Sequence, residues 1–271
     1  MTRGPGGKGA NQAVASARAG ARTAIVASLG VDDAADLLRD ALAGAGVDLS
    51  LVSSSAGTPT GTAIITVDDS GENSIVVAPG ANGELSLSEL ASRAVARAKI
   101  VLSQLEIPFA TVQEAAATSS YFILNAAPAA ELSDELLAGV DLLVVNESEA
   151  ELIAGADRSA LLKRVPAAVV TLGAAGAVVL TREGDEIPVP GVPVNVVDTT
   201  AAGDTFCGVL AATLAAASAS GPVAGSITAS DLTNAVRRAT VAASLSVQAA
   251  GAIPSVPHGD AIDARYAEVY L

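Results

Sequence analysis

From residue 23 onward, short runs of Val, Ile and Leu alternate with longer Ala-rich stretches. The continuous apolar runs at residues 23–28, 99–104, 121–125 and 141–145 predict strands covered on both faces. The stretches between and after them, at 33–45, 108–118 and 131–139, predict helices. Strand and helix in strict alternation imply a parallel sheet with helices on both sides, because each parallel pair needs a crossover.

One region breaks the pattern. Residues 60–67 and 73–78 are both β-rich and flank Asp68, Asp69, Ser70 and Gly71. This predicts an antiparallel hairpin projecting as a small lid or dimerisation flap, with a plain surface hairpin as the alternative. Further strands are predicted at 167–172, 177–181 and 186–189. A helix is predicted from about Gly203, and another from about Asp231 with Ser230 as N-cap. The organisation predicted is one domain over residues 1–271, with the hairpin at about 60–78 as its lid.

The composition narrows the chemistry. The 271 residues are 51% hydrophobic, drawn mainly from Ala, Val and Leu, with three Phe, three Tyr and no Trp, so a sizeable aliphatic core is available. Base-stacking platforms are not. A formal charge of −14 repels nucleic acid and anionic membranes, so neither is an expected partner and an anionic ligand must be held by local donors. With only Cys207 and His258, an intramolecular disulfide and a Cys- or His-based metal cluster are excluded. No apolar run reaches membrane-spanning length and the first residues have no apolar signal core, which predicts a cytoplasmic protein.

Two segments carry candidate chemistry. Gly4-Pro5-Gly6-Gly7-Lys8-Gly9 fits G-x-G-x-x-G, but no strand leads into it, and Gly9 rather than Ser or Thr follows Lys8. Dinucleotide and P-loop readings both fail there. What remains is a Gly-rich turn into a helix over residues 11–19, whose free N–H groups and Asn11 amide suit a polyhydroxylated ligand. The second segment runs from Val197 to Phe206 and places small residues before a helix with Phe206, Leu210 and Leu214 on one face. Such a helix start forms an anion hole for a phosphoryl group, and Asp204 beside it can take a proton from an attacking hydroxyl.

Gly6-Gly7-Lys8-Gly9-Ala10-Asn11-Gln12-Ala13 resembles the first ribokinase signature of the PfkB carbohydrate kinases, and Asp198-Thr199-Thr200-Ala201-Ala202-Gly203-Asp204-Thr205-Phe206 the second. Between them, Asn146-Glu147-Ser148-Glu149 is similar to the family's N-x-x-E element. Thr171-Leu172-Gly173-Ala174-Ala175-Gly176 is similar to its nucleotide-binding loop. The resemblance implies an α/β ribokinase-like three-layer sandwich with a mostly parallel sheet and a small β lid. It implies ATP-dependent phosphorylation of D-ribose at its 5-hydroxyl, with another sugar or nucleoside kinase, or a non-catalytic nucleotide-binding remnant, as alternatives.

Carried over by residue, the resemblance implies Asp204 as base and the backbone of Ala201, Ala202 and Gly203 as anion hole. Gly7, Lys8, Gly9, Ala10, Asn11, Glu106 and Asp204 would hold the sugar. Asn146, residues 171–176, Gly203, Asp204 and Thr240 would hold ATP, with Asn146 and Glu149 organising Mg2+ through water. Asp198, Thr200, Ser246, Ala249, Gly251 and Ser255 would form a K+ site. The family also implies a possible homodimer through the β lid. Its opening strand and a Gly-x-x-Asn-x-Asp segment, which supplies part of the lid, align before residue 1, so both are expected to be absent here. The connection from Gly155 to Ala167 is shorter than in the family, which predicts an abbreviated helix.

Overall fold

The computed structural model describes residues 3–67, 73–182, 184, 186–217 and 227–271. The elements, in order, are α1 (Lys8–Arg18), β1 (Ala27–Leu29), α2 (Asp33–Gly44), β2 (Val52–Ser54), β3 (Thr62–Val67), β4 (Asn73–Ala78), α3 (Glu89–Arg97), β5 (Val101–Ser103), α4 (Phe109–Thr118), β6 (Phe122–Asn125), α5 (Asp134–Ala138), β7 (Leu142–Asn146), α6 (Glu147–Ala154), β8 (Ala167–Thr171), β9 (Gly176–Thr181), β10 (Glu186–Pro190), α7 (Ala202–Ala217), α8 (Ala229–Ser246) and α9 (Gly259–Tyr270). No helix among the described residues is long and apolar enough to cross a membrane.

The central sheet runs β10-β9-β8-β7-β6-β5. Strands β5 to β8 pair in parallel, while β8–β9 and β9–β10 pair antiparallel. Alternate residues of each strand enter opposite cores, as the period of two demands. Ile123, Leu142, Val144, Val169 and Val179 meet Val14, Phe206, Leu210, Leu214 and Val236, which come from α1, α7 and α8. Phe122, Leu124, Leu143, Val145, Val170 and Leu180 face the other way, onto Val112, Leu136, Leu137 and Ala150 of α4, α5 and α6. This is the three-layer arrangement that the strand–helix alternation predicts.

Several local predictions change. The apolar run at 23–28 forms only β1 and an isolated bridge from Ala24 to Asp48, because its parallel partner β2 is itself three residues long. Helix α8 begins at Ala229, with Thr228 rather than Ser230 as its N-cap. Thr228 and Asp231 form a reciprocal capping box, which satisfies two backbone donors where Ser230 would satisfy one. The helix predicted over 131–139 is confined to α5, since Ser133 accepts from the N–H of Leu136 and starts the helix there. A 3-10 turn over Arg158–Lys163 stands in the short connection after Gly155. Strands β3 and β4 pair antiparallel as a separate two-stranded sheet; the predicted turn at Asp68, Asp69, Ser70 and Gly71 lies outside the described residues.

Helices α1 and α7 approach unusually closely. A Cβ on Gly208 would stand 2.4 Å from the carbonyl oxygen of Gln12 and 2.6 Å from the Cβ of Ala15. The Ser16 hydroxyl donates to the Gly208 carbonyl at 2.9 Å, so a side chain cannot be accommodated by a rotamer change alone. Gly208→Ala is expected to lower unfolding free energy by about 1–3 kcal/mol through this overpacking. Gly44→Ala, at the end of α2 with nothing near its would-be Cβ, should be neutral or stabilising. Urea denaturation of the two variants checks the contrast, and equal stabilities would show that α1 can move aside.

Candidate active site

The site lies where the first turn of α1, the segment after β5, the C-terminal ends of β6 and β7 and the first turn of α7 converge. Gly7 ends the Gly-rich turn, and its carbonyl accepts from the Asn11 N–H at 2.9 Å, which starts α1. The N–H of Lys8 donates to Glu106 Oε2 at 2.9 Å, so the segment after β5 closes over this helix start. Asn11 and Gln12 are buried against α7 despite being polar. Their amides point at Asp204: Asn11 Nδ2 donates to Oδ2 at 2.8 Å and Gln12 Nε2 donates to Oδ1 at 3.1 Å.

Gly7, Lys8, Asn11, Glu106 and Asp204, from three separate stretches of sequence, therefore form one connected cluster. Gly9 lies on the same turn, close to the Gln104 amide, and Ala10 follows it in α1. Gln104 was not among the residues singled out from the sequence. Neither were Gln12, which sits inside the first motif, and Asn125, a polar residue closing an apolar strand. That last pattern was a readable signal, since an amide at the buried end of a strand must find partners.

Asp204 is about 7% exposed. Burial raises its pKa from the ordinary aspartate value, with Glu106 adding to the rise. Lys8 and the hydrogen bonds from Asn11 and Gln12 oppose it. Cys207, one turn further along α7, is fully enclosed, and burial together with the Asp204 charge pushes its thiol far up. It is not a nucleophile in this setting.

The backbone ahead of α7 forms a distinctive turn. Ala201 adopts a left-handed conformation, φ 60°, among described non-glycine residues the one that does. Ala202 donates to the Thr199 carbonyl at 3.2 Å, so its N–H is already engaged. The N–H groups of Ala201, Gly203 and Asp204 have no partner among the described residues. Of the three residues expected to form an anion hole, two keep free donors, and Asp204 adds its own.

Asn146 and Glu149 form a capping box at the junction of β7 and α6. Each N–H is bound by the other's side chain at 2.8 Å, through Asn146 Oδ1 and Glu149 Oε2. This leaves Glu149 Oε1 outside the box. Burial raises the Glu149 pKa, against the hydrogen bond from Asn146 and the charge of Lys8. The loop from Thr171 through Leu172, Gly173, Ala174 and Ala175 to Gly176 joins β8 to β9 as a tight 3-10 turn. Leu172 donates to the Gly176 carbonyl, and Gly191 to that of Ala175. A Cβ on Gly176 would come within 2.1 Å of the Val189 carbonyl oxygen, so only glycine fits. Thr240 is buried mid-way along α8 and its hydroxyl donates to the Val236 carbonyl.

Asp198 ties two loops together. Oδ1 accepts from the Thr200 N–H and Oδ2 from the Gly251 N–H, both at 2.8 Å, and the Thr200 side chain together with these two bonds holds its pKa below the ordinary value. Val197 and Asp198 donate to the Val247 carbonyl, while Ala249 donates to that of Ser246. Ser255 donates its hydroxyl to the Ala252 carbonyl. Asp198, Thr200 and Gly251 are thus directly connected, with Ser246 and Ala249 on the adjoining turn.

The cluster opens into a cleft of 3440 Å3 that also runs between the 23–29 segment and residues 100–105. A small-molecule pocket is typically ~300–1,000 Å3, so a ligand of that size would occupy only part of this cleft.

The sign of the Asp204 shift sets a stability test. Because the folded pKa lies above the unfolded one, ionised Asp204 disfavours the fold at neutral pH. The penalty is relieved as pH falls through the folded value. Asn11 Oδ1 is buried without a partner, so its amide can turn to accept from an asparagine at 204. Asp204→Asn is expected to be at least as stable as the parent at pH 7, with its advantage shrinking toward pH 4. Guanidinium unfolding at both pH values checks this, and a loss of more than about 1 kcal/mol at pH 7 would contradict it.

The model for pfkB family carbohydrate kinases matches residues 1–259. A bifunctional ribokinase/ribose-5-phosphate isomerase A of Fructilactobacillus sanfranciscensis is 38% identical over 274 residues, covering 95% of this chain but only 48% of that protein. The ribokinase of Haemophilus influenzae is 37% identical over 269 residues, 93% of this chain and 84% of the relative. In structure, Arabidopsis thaliana ribokinase complexed with ribose and ATP superposes with a TM-score of 0.85 at 32% identity, over 96% of this chain and 87% of that one.

Proposed function

The chain belongs to the pfkB family of carbohydrate kinases, and on that premise we propose that it transfers the γ-phosphoryl group of ATP to the 5-hydroxyl of D-ribose. The observation that carries this reading is the buried Asp204 carboxylate, held by Asn11 and Gln12 beside the unpartnered N–H groups of Gly203 and Asp204. The ribokinase relatives and the ribose–ATP complex of the Arabidopsis protein support the choice of sugar and donor. The chain spans 48% of the bifunctional relative, and isomerase activity is not part of the proposal.

In the proposed reaction the ribose hydroxyl lies between Asp204 and the γ-phosphorus. Asp204 takes the hydroxyl proton as the oxygen bonds to phosphorus, and the bond to the β–γ bridging oxygen breaks to release ADP. Lys8, Asn11, Glu106 and the turn at Gly7, Gly9 and Ala10 orient the sugar. Ala201, Gly203 and Asp204 direct their N–H groups at the charge that spreads over the transferring oxygens. Ala202 serves by shaping the turn rather than by donating. Asn146, the 171–176 loop and Thr240 form the nucleotide side.

Two cations fit this frame. Among the described residues no cluster of three or more His, Cys, Asp or Glu exists. A Mg2+ that keeps most of its waters requires only one or two carboxylates, and Glu149 Oε1 with Asn146 suits that role. Such an ion would neutralise charge on the triphosphate. Asp198, with the carbonyls of Thr200, Ser246, Ala249, Gly251 and Ser255, suits K+, because oxygen-rich turns flank a carboxylate kept ionised by its hydrogen bonds. Both strands of the β3–β4 sheet carry exposed apolar side chains, Ile64, Val76 and Val77, which supports its proposed use as a lid or a dimer contact.

Coupled ADP production with ATP, Mg2+ and K+, with and without D-ribose, tests the reading. Turnover should depend on ribose and fall by ~10² to 10⁴ in Asp204→Asn. Equal turnover in that variant would remove Asp204 as base, and turnover indifferent to ribose would remove the sugar assignment. Replacing K+ by a bulky organic cation should lower turnover of the parent. The same exchange should leave Asp198→Ala unchanged if the cation acts at that loop.

A further inference from the structure

This inference rests on the reading of Asp204 as the base and concerns what controls it. Asn125 is the last residue of β6, about 8% exposed, and its Nδ2 donates to the Val144 carbonyl of β7 at 3.3 Å. With the nitrogen committed to that backbone acceptor, Oδ1 faces α1, where it accepts from Gln12 Nε2 at 3.0 Å. The same nitrogen has a second proton, which goes to Asp204 Oδ1 at 3.1 Å. Reversing the Gln12 amide would set Oε1 against two acceptors, Asn125 Oδ1 and Asp204 Oδ1. The present orientation therefore leaves Oε1 buried without a partner.

The direction of every bond in this chain follows from one fixed point. A backbone carbonyl cannot donate, so it orients Asn125, which orients Gln12, which can only donate to Asp204. We propose that Asn125 and Gln12 are positioning residues of the kinase: together they aim the Asp204 carboxylate and oblige it to accept at Oδ1, favouring the proton-free form that the transfer requires.

The other charged or titratable groups around Asp204 leave this task to the amides. Lys8 acts from α1 and Glu106 from the segment after β5, with opposite signs. Cys207 follows Asp204 on α7, and the charge of Glu149 on α6 acts on that thiol. Neither supplies a hydrogen bond to the carboxylate. Burial works against ionisation, so the donors from Asn11 and Gln12 are the short-range compensation. Of these, Gln12 alone is locked from behind by another residue, and among the described residues Asn125 makes no hydrogen bond to the carboxylate itself.

Carbon-13 titration of the Asp204 carboxyl in the full chain tests this without relying on turnover. In Gln12→Met, which keeps length and bulk but removes the donor, the Asp204 midpoint should rise by about one pH unit. In Asn125→Leu it should rise as well, because an unlocked Gln12 can turn Oε1 toward the protonated acid. Asp141, which accepts from the Phe122 N–H at the opposite end of the same strand pair, should keep its midpoint and reports that the sheet is intact. The acid limb of kcat against pH should move with the Asp204 midpoint while the KM for ATP is unchanged.

No shift in either variant, with Asp141 unmoved, would overturn the proposal. A shift in Gln12→Met alone would overturn the part assigned to Asn125. If Asn125→Leu fails to fold, Gln12→Met still decides whether the carboxylate is held by this chain of amides. Retained turnover in Asp204→Asn would sink the role of Asp204 as base, yet would not move these titrations, so the two failures are distinguishable.

Discussion

The close packing of α1 on α7 is the constraint on which the site depends. Gly208 lets the backbone of α1 at Gln12 lie against α7, one turn beyond the residue that carries the buried carboxylate. At that separation Asn11 and Gln12 reach Asp204 directly, without intervening water. The approach is held at both ends of α1. Its first N–H is bound by Glu106. Its last residue, Arg18, donates to the carbonyls of Ile253 and Val256 in the loop beyond the Asp198–Gly251 junction. A helix so anchored couples the part of the cleft proposed for the sugar to the loops proposed for the monovalent cation.

Asp204, the proposed base, is balanced between two opposing environments. Desolvation alone disfavours its ionised form, and full hydrogen bonding in water would leave it a weak base. The structure combines the two: burial raises the pKa, and amide donors with Lys8 limit the rise. Neutral amides are suited to this because they favour the ionised form without adding a second charge that a phosphoryl group would feel. Asp198 illustrates the opposite regime. It lies nearer to solvent, and the Thr200 side chain with the N–H groups of Gly251 and Thr200 holds its pKa low, so it braces two loops.

The sheet places these groups by its topology. Parallel strands β5 to β8 bring their C-terminal ends to one edge, where Asn125, Asn146 and the loop after Thr171 emerge side by side. Ligands gather at such edges in open α/β sheets because side chains and helix starts converge there while the strands below stay packed. The α1–α7 pair, layered on one face, projects its first turns to the same edge.

Much of this was legible in the residues. Continuous apolar runs and Ala-rich stretches mark the strands and helices, because burial on two faces leaves a sequence no polar positions to spare. The small residues around Asp204, the Gly-rich turn at Gly7 and the Gly173–Gly176 loop announce backbone that must approach a ligand or another strand closely. Local pattern ran short where pairing partners decide an element's length. The apolar run at 23–28 forms so short a strand because β2 is short, and Ser230 loses the cap of α8 to Thr228 because Asp231 can reciprocate. It could not supply the chain from Val144 through Asn125 and Gln12 to Asp204, whose members are far apart in sequence. Amino-acid type alone determines that a buried amide needs partners; only the packing of helix on helix over the sheet edge decides which partner each one finds.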